Sequence, residues 1–148
     1  MSFLAELLTN KIVLSVLITY IVTGLFKLFF YYLGTEEWNF QVFFRTGGMP
    51  SSHIASVASM TSAIYYLEGV SNLFVVAVIV SSIVIADAIG VRRAAGKQAQ
   101  VINKVVDEFR YFKKFRTRRL YELLGHTPKQ ALAGFVIGLI ITRLIFMF

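Results

Sequence analysis

The chain holds only two histidines and two prolines, and each histidine lies close to one of the prolines. His53 follows Pro50 by three positions, and His126 precedes Pro128 by two. Proline favours the first turn of a helix, so both histidines are predicted at helix starts. An imidazole has an ordinary pKa of about 6.5, so one ring can be neutral and the other protonated near neutral pH. The pair therefore suits a nucleophile that works with a proton donor.

The segment around the first histidine, residues 47–53, reads Gly-Gly-Met-Pro-Ser-Ser-His. Its glycines free the backbone, and either serine can cap the helix that the proline opens. Backbone N–H groups and the helix dipole then face any anion bound at this point. The spacing predicts an anion site within residues 47–53, at the start of the helix and next to His53.

Residues 87–98 form a second cluster, in which cations follow an apolar run. Gly90, Arg93 and Lys97 fall at i, i+3 and i+7, which is one face of a helix. This cationic stripe, with the gap that Gly90 leaves in it, predicts a place where a phosphate can approach the helix.

The acid at the start of this cluster, Asp87, falls at predicted membrane depth. A carboxylate there is costly and usually has a partner or a function. The candidate partners are an arginine of the same cluster, Arg92 or Arg93, and Lys27 in the first apolar run.

Phosphoryl transfer is the chemistry that these residue types fit. One imidazole would attack phosphorus and become a phosphohistidine, and the other would protonate the departing alkoxide. Arginine and lysine would hold the equatorial oxygens, whose charge persists in a loose transition state. Cysteine is absent, and no histidines or carboxylates cluster at ligand spacing, so the sequence predicts neither a metal nor another cofactor.

The elements that must position these residues are long apolar runs. Hydrophobic residues make up 57% of the 148 residues and charged residues only 16%, unlike a typical soluble domain. Apolar runs of about membrane-spanning length cover residues 12–33, 50–67, 73–91 and 128–148. We expect an all-α, polytopic bundle of about four transmembrane helices, forming a single membrane-embedded domain over residues 1–148.

Four spans place residues 34–49 and 92–126 on the same face of the membrane. Ten lysines or arginines fall between residues 92 and 119, so the positive-inside rule places this face in the cytoplasm. The protein is therefore expected in the cell (inner) membrane, with its site at the cytoplasmic interface. The net charge of +7 then favours a membrane lipid substrate and anionic lipid headgroups as partners, and no nucleic acid.

Small residues mark the helix surfaces that pack closely. Gly134 and Gly138 in the last run show the small-xxx-small spacing of membrane helix contacts. Four helices are few to enclose a lipid site, so a homo-oligomer with this glycine pair as its seam is a hypothesis.

Together, the three clusters resemble the divergent membrane branch of the type 2 phosphatidic acid phosphatases, which are related to the vanadium haloperoxidases. Residues 47–53 resemble that superfamily's Pro-Ser-Gly-His motif. Residues 87–98 and 125–128 resemble the two signatures of the branch itself. The resemblance extends from about Lys27 to Gly138.

The resemblance implies a lipid phosphate phosphatase in which His126 is the nucleophile and His53 is the general acid. The phosphate would be bound by basic and small residues of the clusters, namely Lys27, Arg92, Arg93, Lys97, Ser52 and Gly48. The substrates that this implies are phosphatidylglycerophosphate, phosphatidate or a polyprenyl (pyro)phosphate. A cytoplasmic site favours the first of these, because it suits a biosynthetic intermediate made on that leaflet.

The chain also departs from the superfamily pattern. No Arg-Pro follows Lys27, and the position six before the implied nucleophile, usually arginine, is Leu120. The acid expected four positions after the nucleophile is Gln130. Gln130 can orient an imidazole by a hydrogen bond but has no charge to stabilise an imidazolium, so Asp87 is the candidate for that role.

Two other functions fit parts of the pattern. A catalytically inactive protein that binds or transports a lipid phosphate would retain the pocket, and Gln130 keeps this alternative open. A membrane scaffold would use the basic loop to hold anionic lipid or a partner. The scaffold predicts that neutralising Lys113, Lys114 and Arg116 has a larger effect than changing the histidines.

Overall fold

The computed structural model describes residues 2–45, 47–111, 119–120, 122 and 124–148. Across these ranges the regular secondary structure consists of helices joined by loops, with no strand. The helices are α1 (Phe3–Thr9), α2 (Lys11–Thr35), α3 (Gln41–Phe44), α4 (Ser52–Glu68), α5 (Asn72–Ile89), α6 (Val91–Tyr111) and α7 (Pro128–Met147). The prediction of an all-α membrane bundle is confirmed.

Within the described residues, three helical stretches are long and apolar enough to cross a membrane, and α4 is a shorter fourth. The three are Lys11–Thr35, Asn72–Phe109 and Pro128–Met147. The middle stretch joins α5 and α6. With 17 residues, α4 is about 25 Å long, at the lower limit for a span. It is also less apolar, because serine and alanine replace larger side chains along its buried face.

The short helix α4 lies at the centre and packs against α2, α5 and α7. Its closest approach is to α7, where glycine leaves no side chain between the two backbones. A Cβ added to Gly138 would lie 3.1 Å from both Ala58 Cβ and Ser59 N. Gly134 faces Ser51 in the same way. The hypothesis that this glycine pair forms a seam between two copies is therefore wrong, because α4 of the same chain fills the position.

A layer of buried hydroxyl groups joins α2, α4 and α7 midway along the bundle. Thr19 Oγ1 donates to Ser59 Oγ at 3.2 Å, and the hydroxyls of Ser59 and Thr142 are 2.8 Å apart. Thr142 Oγ1 also donates to the Gly138 carbonyl at 2.9 Å. We call Thr19, Ser59 and Thr142 the hydroxyl layer. All three are fully buried, so their mutual hydrogen bonds replace those that lipid cannot supply.

The two ends of the bundle differ in chemistry. At one end, the start of α2 meets the ends of α4 and α7 through aromatic rings. The rings of Tyr66 and Phe146 stack at 5.1 Å, and Lys11 Nζ lies 5.0 Å from the centre of the Phe146 ring. The loops that carry the three sequence clusters meet at the opposite end, as the alternation of spans predicts.

The amphipathic helix α6 forms a roof over that opposite end. It begins after Gly90 and, among the described helices, contacts only α5. Asn103 on α6 is buried and holds the returning chain. Its Nδ2 donates to the Leu120 carbonyl at 2.8 Å and to Glu122 Oε1 at 2.7 Å, and its Oδ1 accepts from the Leu120 N–H at 2.9 Å. Residues 119–122, as far as they are described, are thereby fixed against α6.

An apolar groove opens between α5 and α7, which scarcely touch each other. The groove has a volume of about 450 Å³, and α4 forms its floor. Its walls are mainly hydrophobic side chains: Phe74, Val78, Ile85, Phe135 and Leu139. Ile85 also packs on the small core of Ile54, Ala88 and Ala131. The groove therefore ends about one helical turn below the end of the bundle that carries the clusters.

Candidate functional site

Two backbone hydrogen bonds and one glycine bring the three sequence clusters together. The His126 N–H donates to the Ala88 carbonyl at 3.0 Å, which joins the third cluster to the second. The Ser51 N–H donates to the Gln130 carbonyl at 3.3 Å, which joins the first cluster to the third. Gly125, with a φ of 79°, lies on the backbone at the start of α6, where a Cβ has no room.

The start of α7 holds His126 in place. Thr127 caps the helix, since its hydroxyl accepts the Gln130 N–H at 3.3 Å. The Thr127 N–H donates in turn to Gln130 Oε1 at 2.9 Å, which completes a capping box. The His126 side chain points inward and is only 4% exposed. Its Nδ1 is buried and has no hydrogen-bond partner in the described part of the chain.

The surroundings of His126 keep its ring neutral. Burial lowers the pKa of the imidazole to about 4, and the positive charges of Lys27 and His53 act in the same direction. The Gln130 side chain and the Gly48 backbone lie near the ring and favour its protonated form, but their effect is smaller. At neutral pH the ring therefore has an available lone pair, as a nucleophile requires.

His126 lines two cavities, one on each side. The smaller has a volume of about 30 Å³ and contains His53, Asp87 and Arg92. The larger has a volume of about 300 Å³. It is lined mainly by polar and basic residues: Gly48, Arg93, Lys97, Gln100, Glu122 and Gln130. The structure thus brings both histidines to one site and divides Arg92, Arg93 and Lys97 between the two cavities.

On the side of the small cavity, an ion pair lies next to the second histidine. His53 occupies the first turn of α4, as predicted, and is exposed. Arg92 Nε donates to Asp87 Oδ2 at 2.5 Å, so the partner of this acid is an arginine of its own cluster. The two side chains are 48% and 39% exposed, so the pair contributes little to stability. Both charged groups of this pair lie close enough to His53 to interact electrostatically with its imidazole.

Lys27 lies behind the first cluster and lines neither cavity. It is only 3% exposed, and its Nζ donates to Ser52 Oγ at 2.8 Å and to the Arg45 carbonyl at 3.0 Å. No carboxylate among the described residues lies within ion-pair distance of it. The structure thus places a buried amine, without a carboxylate partner among the described residues, beneath the anion-site segment and near both histidines.

The predicted gap at Gly90 is wrong, because the helix does not continue through this residue. Gly90 forms the junction of α5 and α6 and lines neither cavity. Arg93 and Lys97 do line one cavity together, as the stripe predicts. The glycine that lines this cavity from α6 is Gly96, and it lets the returning chain approach the helix, since an added Cβ would lie 2.6 Å from the Leu124 carbonyl oxygen.

Sequence reasoning missed three polar residues of this region. Gln100 lines the larger cavity and lies three positions after Lys97, so extending the stripe by one turn would have found it. Glu122 lines the same cavity from a loop, and Asn103 fixes Glu122 to α6. No sequence signal marks Glu122, since its position depends on how the chain returns.

Leu120, at which the chain departs from the superfamily pattern, and the neighbouring Arg119 are held against α6. The backbone of Leu120 is bound to Asn103, and Arg119 forms an ion pair with Asp107 on α6. Neither lines a cavity with His126. The basic residues on which the scaffold alternative depends, Lys113, Lys114 and Arg116, lie outside the described residues. Within the described ranges, no group of three histidine, cysteine or acidic side chains is arranged to hold a metal ion.

Comparison with known proteins gives two matches. The Divergent PAP2 family matches residues 8–141 of the chain. An uncharacterized membrane protein, YuiD of Bacillus subtilis (strain 168), is 36% identical over 155 aligned positions, which cover 97% of this chain and 98% of that protein. No solved structure matches the chain.

Proposed function

The chain belongs to the Divergent PAP2 family, and from that membership we propose that it is a lipid phosphate phosphatase acting through a phosphohistidine without a metal ion. One observation carries the proposal. The three clusters converge on His126, whose ring is buried, neutral and unpaired at Nδ1, with His53 and cations around it.

In the first step, a ring nitrogen of His126 attacks the phosphorus of a phosphate monoester. A nitrogen–phosphorus bond forms while the bond from phosphorus to the ester oxygen breaks. The departing alkoxide takes a proton from the His53 imidazolium and leaves as an alcohol. A bound phosphate dianion favours this protonated form of His53, because an opposite charge next to an imidazole stabilises its charged form.

In the second step, the neutral His53 takes a proton from water. The resulting hydroxide attacks the phosphorus, the nitrogen–phosphorus bond breaks, and inorganic phosphate leaves. Both histidines return to their starting forms, so the net reaction consumes one water and gives an alcohol and phosphate. The donor set of the site, two imidazoles among cations, supplies each proton transfer that this sequence requires.

Positive charge around His126 supports binding of the reacting phosphate. Arg92 lies on the side of His53, and Arg93 lies on the side of Gly48. Lys27 and Ser52 support the anion-site segment from within the bundle. Such fixed cations stabilise the charge on the phosphoryl oxygens in the transition state.

The apolar groove supports a lipid as the substrate. It ends about one turn below His126 and opens to the side between α5 and α7. A lipid could present its phosphate to the histidines while its hydrocarbon chain stays in the bilayer. This end of the bundle is rich in lysine and arginine, as the cytoplasmic loops of membrane proteins are. That favours an inner-membrane protein with a cytoplasmic site.

The experiment for the catalytic proposal is phosphate release by purified protein from three lipid phosphates, with chelator present. The panel contains phosphatidylglycerophosphate, phosphatidate and a polyprenyl diphosphate. We expect His126→Ala and His53→Ala to lose turnover by at least about a hundredfold, the scale on which a nucleophile or a general acid contributes. Lys129→Ala is the matched control, because Lys129 is exposed, lies next to the site and lines neither cavity.

Quenching in alkaline detergent, where a phosphohistidine persists although acid would hydrolyse it, should also trap labelled phosphate on the wild type and on His53→Ala but never on His126→Ala. Histidine variants as active as the wild type would overturn the mechanism. A wild type that binds these lipids without releasing phosphate would instead favour the binding or transport alternative.

Sidedness has a separate test, because the natural chain has no cysteine. Val70→Cys and Lys129→Cys place one exposed thiol at each end of the bundle. In intact cells, a thiol reagent that cannot cross membranes should label Val70→Cys and leave Lys129→Cys unlabelled. The reverse pattern would place the site outside the cytoplasm.

A further inference from the structure

The larger cavity beside His126 offers more room and more polar groups than one phosphate needs. Its volume of about 300 Å³ is enough for about ten water molecules at liquid density. That number is roughly twice the number of heavy atoms in a phosphate group. The cavity therefore has space for a second polar group next to the phosphate that reacts.

The wall formed by α6 extends away from His126. Arg93 lies at the end where Gly125 rests on the backbone of α6. Lys97 follows one turn later and Gln100 about one turn after that. At 1.5 Å per residue, Lys97 lies about 6 Å and Gln100 about 10 Å beyond Arg93 along the axis. The far part of the cavity is thus out of reach of a single phosphate held at His126.

The two cations that line this cavity are uncommitted. Neither the Arg93 nor the Lys97 side chain forms a hydrogen bond or an ion pair among the described residues, where the ion pairs are those of Arg92 and Arg119. Glu122 faces the same space, but Asn103 Nδ2 holds one of its oxygens at 2.7 Å and fixes the carboxylate in place. A free ammonium near a fixed carboxylate suits an anion that also carries a hydroxyl group.

We propose that Lys97, Gln100 and Glu122 form a second subsite, for a lipid headgroup that carries a second phosphate on a short polyol linker. Lys97 binds the second phosphate, and Glu122 accepts a hydrogen bond from a hydroxyl of the linker. This inference rests on the proposed phosphatase function and names its substrate class. One helical turn is longer than the single bridging oxygen of a diphosphate and suits a three-carbon alcohol between the two phosphates.

The test compares Lys97→Gln with wild type on three substrates. Phosphatidylglycerophosphate carries a second phosphate across glycerol, polyprenyl diphosphate carries one directly attached, and phosphatidate carries none. We expect kcat/KM for the first to fall about tenfold, mainly through KM, as for loss of one charge-assisted hydrogen bond. The values for the other two should stay within about a factor of two.

The matched control is Lys104→Gln, which removes the same charge two turns further along α6 from an exposed residue outside the cavity. It should change none of the three values. An equal fall for all three substrates with Lys97→Gln would overturn the subsite and place Lys97 on the reacting phosphate. No change, or the same change with Lys104→Gln, would also overturn it. A fall confined to the diphosphate would refute the polyol linker.

Binding separates this inference from the phosphatase proposal. Calorimetric titration of the protein in micelles with phosphatidylglycerophosphate needs no turnover. If the wild type releases no phosphate yet Lys97→Gln weakens binding of this lipid, and not of phosphatidate, the subsite stands and the catalytic proposal fails. If turnover is normal and binding is unaffected by Lys97→Gln, the subsite fails alone.

Discussion

Two groups of buried polar side chains in the described part of the bundle differ in how far their hydrogen bonds are satisfied. In the hydroxyl layer, Thr19, Ser59 and Thr142 bond one another and a backbone carbonyl. At the end of the bundle that carries the three clusters, which we call the cluster end, His126 keeps a buried nitrogen without a partner. Lys27 there is a buried amine without a carboxylate partner in the described part of the chain.

This difference separates structure from chemistry. A satisfied layer has little left to offer a ligand, so its value lies in fixing the helices. An unsatisfied group is retained at a cost of about 1–3 kcal/mol, which a bound substrate can recover. The same contrast explains why the hydroxyl layer uses uncharged side chains, whereas the cluster end uses charged and titratable ones.

The largest effect should come from forcing α4 and α7 apart at their closest contact, next to the hydroxyl layer. In Gly138→Leu the side chain meets the backbone of α4, which cannot move aside. We expect the free energy of unfolding in mixed micelles to fall by about 3 kcal/mol or more, as for severe overpacking. Gly34→Leu is the control, since nothing lies within 4 Å of a Cβ at that position. A folded, stable Gly138→Leu monomer would restore the hypothesis of a seam between copies.

Removing the buried charge should affect turnover more than folding. Lys27→Met keeps the length of the side chain and its apolar stem but leaves Ser52 without its donor. We expect kcat/KM to fall about a hundredfold, since one fixed cation near the transferred phosphate is worth about 2–3 kcal/mol. Lys129→Met should leave it unchanged. A thermal midpoint that falls in step with activity would show that Lys27 is structural.

Acid should reveal the neutral ring. A pKa of about 4 means that His126 is protonated only below that pH, whereas an ordinary histidine is protonated below about 6.5. We expect kcat/KM to hold down to about pH 5 as far as this group limits it, and then to fall about tenfold per unit below pH 4. A fall in kcat/KM on acidification near pH 6.5 that persists in His53 variants would contradict the burial of the His126 imidazole.

The same shift affects stability, with a definite sign. Between about pH 6.5 and 4 the unfolded chain binds a proton at this residue and the folded chain does not, so the free energy of unfolding falls as the pH falls through this window. His126→Gln should lack that part of the pH dependence. Unfolding of wild type and variant in micelles at pH 7 and pH 4.5 measures the difference.

The smallest effect should come from one hydrogen bond of the hydroxyl layer. Thr142→Val keeps the shape of the side chain and removes its hydroxyl, so stability should fall by about 0.6 kcal/mol, the average for such bonds between membrane helices. Turnover should stay within about a factor of two. Combining it with Ser59→Ala in a double-mutant cycle isolates the bond between them. A large loss of activity would show that the hydroxyl layer takes part in turnover, contrary to its separation from the cluster end.

The sequence by itself determined the membrane bundle and most of the candidate site. Apolar runs of membrane-spanning length permit only helices, because lipid offers no partners to the backbone. The prolines beside His53 and His126 set both histidines at helix starts, and the i, i+4 spacing of Arg93 and Lys97 put them on one face. These features depend on local geometry, which a sequence pattern records directly.

Only the tertiary structure decided how the clusters divide around His126. The chain turns at Gly90 between two helices, so Gly96 rather than Gly90 lines the cavity with Arg93 and Lys97. The glycine pair of α7 is used within the chain, because α4 is small enough to pack on it. Glu122 enters the site through Asn103, nineteen residues away by sequence and one hydrogen bond away in space. Such contacts depend on how separate segments return to each other, and no local pattern fixes that.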